Sequence, residues 1–259
     1  MEVIRESPLE ALLRQAAADP AHRPAFFAAL LQAEVFIIGH TDLGPGETTI
    51  QAGSQLHIQH WQRPDGVSTI PFFTSLGLLQ QAIEQESRYL ALPARSLFEL
   101  TLGSALDLNP GSDCGKSFEA AEIRELLASG LTHAPEQREI REQTSVLLGQ
   151  PLHDPQDLKQ ALSTLLLKHP PVQRAYLALM HDTSQSEQPH LVIGLEGEGD
   201  IEQVLREAGN VLADLLPAGE VADLLQIHAN EGGLADYFHQ SVVPFYQRGP
   251  WARFKAWWH

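Results

Sequence analysis

Ile70-Pro71-Phe72-Phe73-Thr74-Ser75 joins three structural signals in one short stretch. A turn signal, Pro64-Asp65-Gly66, precedes it, a proline interrupts its apolar run, and Thr74 and Ser75 can cap the helical pattern that begins at Leu76. The segment therefore reads as strand, then edge, then helix start. Proline lacks the N–H that a ladder needs, so the strand carrying Pro71 is expected at a sheet edge or near its own end. Phe72 and Phe73 point to opposite faces of a regular strand, one into a core and the other outward or beneath the following helix. Core packing of both is the simpler reading, and a binding patch is the other.

Working outward, residues 56–61 and 67–73 flank a five-residue connection containing a glycine, which reads as a β-hairpin. Upstream, Leu9, Leu12, Leu13 and Ala16 repeat at helical spacing after Ser7-Pro8, and Asp19-Pro20 ends that helix. Pro24 opens a second helix with Phe26, Phe27, Leu30 and Leu31 buried; residues 34–38 read as a strand stopped by Gly39, and residues 39–55 as a loop. Downstream come helix 76–86, strand 88–92, helix 94–102, a hairpin of 105–108 with 116–118, and helix 119–128.

The polar, charge-rich stretch 134–143 reads as a linker between a domain at 1–133 and a domain at 144–259. In the second domain the pattern is strand 145–148, helix 155–168 capped by Asp154, strand 174–180, strand 190–195, helix 201–216, strand 223–228 and helix 234–246. That order, βαββαβ plus a final helix, matches the ferredoxin-like split arrangement. The fold class expected is α+β, with two domains of mixed α and β structure.

The chain has 259 residues, 17 basic and 33 acidic, for a net charge of −16. Residues 1–133 hold eight bases and sixteen acids, and residues 134–259 nine and seventeen, so the surplus is shared. A field of that sign repels phosphate and anionic lipid, which argues against nucleic-acid or membrane partners and suits a basic protein. No apolar run approaches the ~20 residues that span a bilayer, and the N-terminus lacks the pattern of a secretory signal, which together point to a cytoplasmic protein. One cysteine, Cys114, leaves no disulfide framework and no multi-thiolate metal site within a monomer. It reads as an incidental exposed thiol, because Asp113 opposes any activation by Lys116.

No catalytic constellation, cofactor motif or metal-ligand spacing emerges. The nearest of the twelve histidines, His57 and His60, lie three apart on an expected strand and so face opposite ways. Gly194-Leu195-Glu196-Gly197-Glu198-Gly199-Asp200 runs from strand to helix, yet Glu202 stands where a phosphate loop needs glycine and three acids would repel the ligand. Asp200 with Gln203 reads instead as a capping pair.

The candidate interaction residues are Trp61, Phe72, Phe73, Arg95 and, in the tail, Trp251, Arg253, Phe254 and Trp258. Arg95 sits in the first turn of a helix, where a cation opposes the macrodipole. Glu99 one turn on can compensate it, and so can an acidic ligand. The tail places Trp251, Phe254 and Trp258 at spacings of three and four beside Arg248, Arg253 and Lys255, with no acid among residues 248–259. Aromatics with arginine dominate interface hot spots, so the tail reads either as docked on its own domain or as a partner-binding segment.

Several segments together, Ala21-His22-Arg23-Pro24-Ala25-Phe26-Phe27, Gln59-His60-Trp61, Asp65-Gly66, Ile70 to Ser75, Pro93-Ala94-Arg95-Ser96-Leu97-Phe98-Glu99 and Asp200-Ile201-Glu202, resemble the bacterial enhanced-serine-sensitivity family, SseB. The resemblance implies N- and C-terminal SseB domains, a cytosolic bacterial setting and a link to serine sensitivity. It implies no catalytic residue, and none of the quoted segments lies after Tyr246. The expectation is a non-enzymatic protein-interaction or regulatory module without cofactor. The alternative is a regulator that binds a small amino-acid or keto-acid ligand.

Overall fold

The computed structural model describes residues 7–41, 56–132, 146–182, 188–217, 219–228 and 232–249. The chain divides into two compact units, Met1–Thr132 and His133–His259. Residues 134–143 lie outside the described residues, as do Trp251, Arg253, Phe254 and Trp258.

In the first unit, Ser7 starts α1 (Pro8–Ala18) with a capping box: its hydroxyl accepts the Glu10 N–H at 3.2 Å, and the Glu10 carboxylate accepts the Ser7 N–H at 2.9 Å. Two otherwise orphaned donors are satisfied at once. Asp19 ends the helix and accepts the Ala21 N–H, turning the chain through Pro20–His22 into α2 (Arg23–Gln32). β1 (Glu34–Thr41) continues through Gly39 rather than stopping there. The glycine is needed because β2 (Leu56–Ile58) passes so close that a Cβ on residue 39 would overlap the His57 carbonyl oxygen.

The sheet contains a fork. β1 pairs with β4 (Ser68–Phe73) only at Phe36↔Phe73 and Ile37↔Phe72, and farther along pairs with β2 instead, at Gly39↔Ile58 through Thr41↔Leu56. The chain leaving β2 forms β3 (Trp61–Gln62), which pairs with the start of β4 at Trp61↔Thr69 and Gln62↔Ser68. The run at 56–61, expected as one strand of a hairpin, is thus shared between two neighbours. β6 (Ala105–Leu108) lies parallel along β4, β7 (Lys116–Phe118) is antiparallel to β6, and β5 (Tyr89–Pro93) pairs with β1. Helices α3 (Leu76–Ala82), α4 (Ala94–Leu100) and α5 (Ala120–Ser129) complete the unit, with Gly130 at φ 79° closing α5 in the left-handed region that glycine adopts freely.

Of the two places expected for Pro71, the strand end is met, since β4 stops two residues later at Phe73, and the sheet edge is corrected. β4 is an interior strand, flanked by β6 along Thr69 to Phe72. The Phe72 carbonyl accepts the Asn109 N–H at 2.8 Å on the β6 side, so alternation turns the Pro71 nitrogen toward the other flank. There β3 has ended and β1 has not yet begun. The missing donor falls at the vertex of the fork, where no ladder bond is due.

Phe72 and Phe73 are both fully buried. Phe72 joins Phe27, Phe98 and Phe118 in the larger cluster, with the Phe98 ring edge-on at 5.6 Å. Phe73 faces the other way, into a smaller cluster with Ile38 and Leu79.

The second unit runs β8 (Val146–Gly149), α6 (Gln156–Leu167), β9 (Val172–Asp182), β10 (His190–Gly197), α7 (Glu202–Leu215), β11 (Ala222–Ile227), α8 (Leu234–Ser241) and β12 (Tyr246–Gln247). The ferredoxin-like expectation is corrected here. That fold inserts the first strand between the third and fourth, whereas β10 and β11 are direct parallel neighbours. β9 is long enough for one flank to hold both β12, at Ala175 and Arg174, and β8, from Leu179 to Asp182. Element order alone is common to both arrangements, and pairing decides between them.

The final helix is shorter than expected. It stops at Ser241, before the β-branched Val242-Val243 and Pro244, and the chain turns into β12. Arg248 then donates to the carbonyls of Leu166 at 2.8 Å, His169 at 2.9 Å and Val172 at 3.1 Å, capping the C-terminal end of α6 with a cation. Two caps also differ from expectation. Asp154 pairs with Lys159 instead of capping α6, and Asp200 accepts the Glu202 N–H at 2.9 Å while Gln203 turns to Glu207. Among the described residues no helix is long and apolar enough to cross a membrane.

Candidate functional site

The fork leaves a recess on the Phe73 face of the first unit. Because β3 sits between the splayed ends of β1 and β4, it carries Trp61 over Phe73, with ring centroids 6.3 Å apart and planes at 69°. Leu78, Gln81 and Ala82 of α3 form one wall, and the loop Asn109-Pro110-Gly111-Ser112 after β6 forms the other. The recess, open to solvent on one side, holds about 320 Å³, at the low end of the ~300–1,000 Å³ typical of ligand sites.

The loop wall is held by a buried polar relay that begins at the α1 cap. Asn109, 2% exposed, has a positive φ of 47°, a conformation asparagine tolerates better than most residues. Its side-chain oxygen accepts the Thr74 N–H at 2.9 Å, and its amide donates to the Thr74 hydroxyl oxygen at 3.1 Å. That hydroxyl donates to Glu10 at 2.8 Å. Burial pushes the Glu10 carboxyl up, but the Ser7 N–H and the Thr74, Ser75 and Ser7 hydroxyls outweigh it and hold the group below its usual range. The capping box thereby ties α1 to the recess, and Thr74, read from sequence only as a helix cap, is a central link in that relay.

Nine residues line the recess and none of them titrates. Among the described residues, neither the Trp61 indole N–H nor the Gln81 carboxamide has a hydrogen-bond partner. The arrangement is a largely apolar recess whose lining includes two side chains with unpartnered donors.

The other candidates are not brought to this site. Phe72 lies in the opposite core, and Phe73 is the floor of the recess rather than an exposed contact. Arg95 is half-buried on α4 and, among the described residues, makes no ion pair, Glu99 included. Cys114, expected to be exposed, is partly buried against the larger core. His57 stacks on His40 across the β1–β2 pair at 4.8 Å, and His60 lies 3.3 Å from the Ser68 hydroxyl. Among the described residues no three of His, Cys, Asp and Glu are grouped to hold a metal ion.

Sequence reading missed the ionic anchors. Arg63 bonds Asp107 at 2.7 Å and Glu119 at 2.8 Å, bridging β3, β6 and the start of α5. In the second unit, Glu196 accepts from Tyr176 at 3.1 Å and Arg174 at 3.2 Å, with His239 at 3.4 Å. His190, almost buried, pairs with Asp223 at 2.9 Å, and His169 with Glu207 at 2.9 Å. A charge inside a short apolar strand, as Asp107 is, was the available signal for a partner.

The SseB protein N-terminal domain matches residues 9–125, and the SseB protein C-terminal domain matches residues 140–248. Protein SseB of Escherichia coli (strain K12) is 38% identical over 243 residues, covering 94% of this chain and 93% of that protein. Protein SseB of Shigella flexneri matches over the same extent and at the same identity, 38%. No solved structure matches the chain. On both domain matches and on identity across nearly its whole length, the chain belongs to the SseB family.

Proposed function

We propose that this SseB-family chain is a non-enzymatic, cytoplasmic interaction protein with a regulatory role linked to serine sensitivity, acting on a basic protein partner. The observation that carries this reading is the recess beside Trp61: an apolar socket without a titratable group, in a chain whose net charge is −16. An acidic surface draws a cationic partner at long range, and an apolar socket supplies the short-range term that holds it. The ionisable groups with displaced pKa values support the same reading, since each is already engaged within the fold. Burial raises Asp107 and Glu207, for example, yet bonds from Arg63, Ser117 and Thr69 in one case, and from His169 and Gln203 in the other, leave both below the usual carboxylate range.

A second reading, a small-ligand regulator, is favoured by the size of the recess, about 320 Å³. Against it, no cation lines the recess to meet the carboxylate of an amino or keto acid. Flat calorimetric titrations with serine and related acids are the expected result.

The direct test is capture from bacterial lysate with the full-length chain at low and moderate salt. A specific basic protein recovered at low salt, lost as salt rises, and lost with Ala82→Arg in the recess is the expected result. Recovery of no specific protein overturns the proposal.

A further inference from the structure

The recess also has a chemical preference. Glu84 and Glu86, which follow α3 and its recess-lining Ala82, are exposed and make no ion pair among the described residues. Trp61 offers an aromatic wall and an indole N–H unpartnered among the described residues, and Gln81 an amide likewise unpartnered. Apolar space and unpartnered donors thus lie within a few residues of unpaired negative charge.

We infer that the recess reads an extended segment of the partner in which one large apolar or aromatic side chain is flanked by arginine or lysine. The inserted side chain sits between Trp61 and Leu78. The Trp61 indole N–H donates to a backbone carbonyl of the segment, and Glu84 and Glu86 meet the flanking cations. An extended backbone suits the role because its carbonyls are unpaired and available to such a donor. Charge supplies the rate and the salt dependence, and the seated side chain supplies most of the specificity. This inference rests on the interaction reading above and names what the partner must present.

The test uses the full chain and a fluorescein-labelled peptide, Gly-Arg-Arg-Leu-Phe-Arg-Arg-Gly, followed by anisotropy. Two control peptides replace the Phe with Ala, or every Arg with Glu. The expected result is that loss of the aromatic weakens binding about tenfold or more and that the Glu peptide does not bind. Ala82→Arg, which fills the socket, weakens the parent peptide to the level of the Ala control. Trp61→Phe keeps the ring but removes the donor and weakens it about threefold. Glu84→Gln with Glu86→Gln flattens the salt dependence. Unchanged melting temperatures of the variants show that the fold is intact. A peptide that binds equally well to the wild type, Ala82→Arg and Trp61→Phe, or one that does not bind at all, overturns the recess as the reader. A basic partner captured from lysate despite that result leaves the interaction role standing at another surface. Peptide discrimination without any captured protein keeps the recess chemistry and removes the role.

Discussion

Each unit lays a short helix over one face of its sheet, but the two treat the space beneath it differently. In the second unit β9 and β10 form a continuous antiparallel ladder from His190↔Met180 to Glu196↔Arg174, and Phe238 of α8 presses onto it. Gly194 makes the fit possible, since a Cβ there would lie 2.8 Å from Phe238 Cε2. In the first unit the β1–β4 pairing opens after two residue pairs, β3 enters the gap, and a recess remains between α3 and the loop after β6, with Trp61 in its lining. A filled layer is structure and nothing else. The other layer leaves a recess, with a buried polar relay behind one wall, and the proposed occupant belongs there.

The sharpest way to break the contrast is to unfill the second unit. Phe238→Ala is expected to cost about 3–5 kcal/mol, the range for removing a buried aromatic, measured by urea unfolding of the full chain. Gly194→Ala alone is expected to cost about 1–3 kcal/mol through overpacking. In the Phe238→Ala background the same glycine change should cost much less, because the ring it meets is gone. Equal costs in both backgrounds would show that Gly194 is not there for Phe238.

A smaller effect is expected at the anchor beside the fork. Asp107 is 15% exposed in its side chain and accepts a bidentate bond from Arg63. Its folded pKa is depressed, so its contribution is fully present above the unfolded value of ~3.9 and is lost as pH falls through the lower folded value. Asp107→Asn should therefore lower stability by about 2 kcal/mol at neutral pH, with the difference from wild type shrinking as pH drops below ~3.9. Melting temperatures across that range decide it, and a difference that stays constant with pH would detach Asp107 from the acid limb.

Much of the local structure was legible. The Ser7-Pro8 start of α1, the Gly130 stop of α5 and the one-faced helices of the second unit follow from capping and periodicity, which act within a turn or two of chain. Pairing was not legible, because it depends on residues far apart in sequence. The order βαββαβ fits two sheets, and only the β10–β11 contact separates them. The same limit hid the site: Trp61, Ala82 and Pro110 meet only because β3 leaves β1 for β4. Trp61 and Phe73 were singled out on residue type, without any indication that they share a wall. Pro71 carried a true signal, a place where a ladder bond is missing, and the missing bond belonged to a fork instead of an edge.

Whether the recess seats a side chain can be read from Trp61 itself. The other tryptophans are Trp251, Trp257 and Trp258, so replacing those three by Phe makes Trp61 the sole emitter. Titration with the arginine-flanked Phe peptide should shift and saturate its emission at the affinity found by anisotropy, and the Ala control should leave it unmoved. Peptide binding with no change in Trp61 emission would contradict the account.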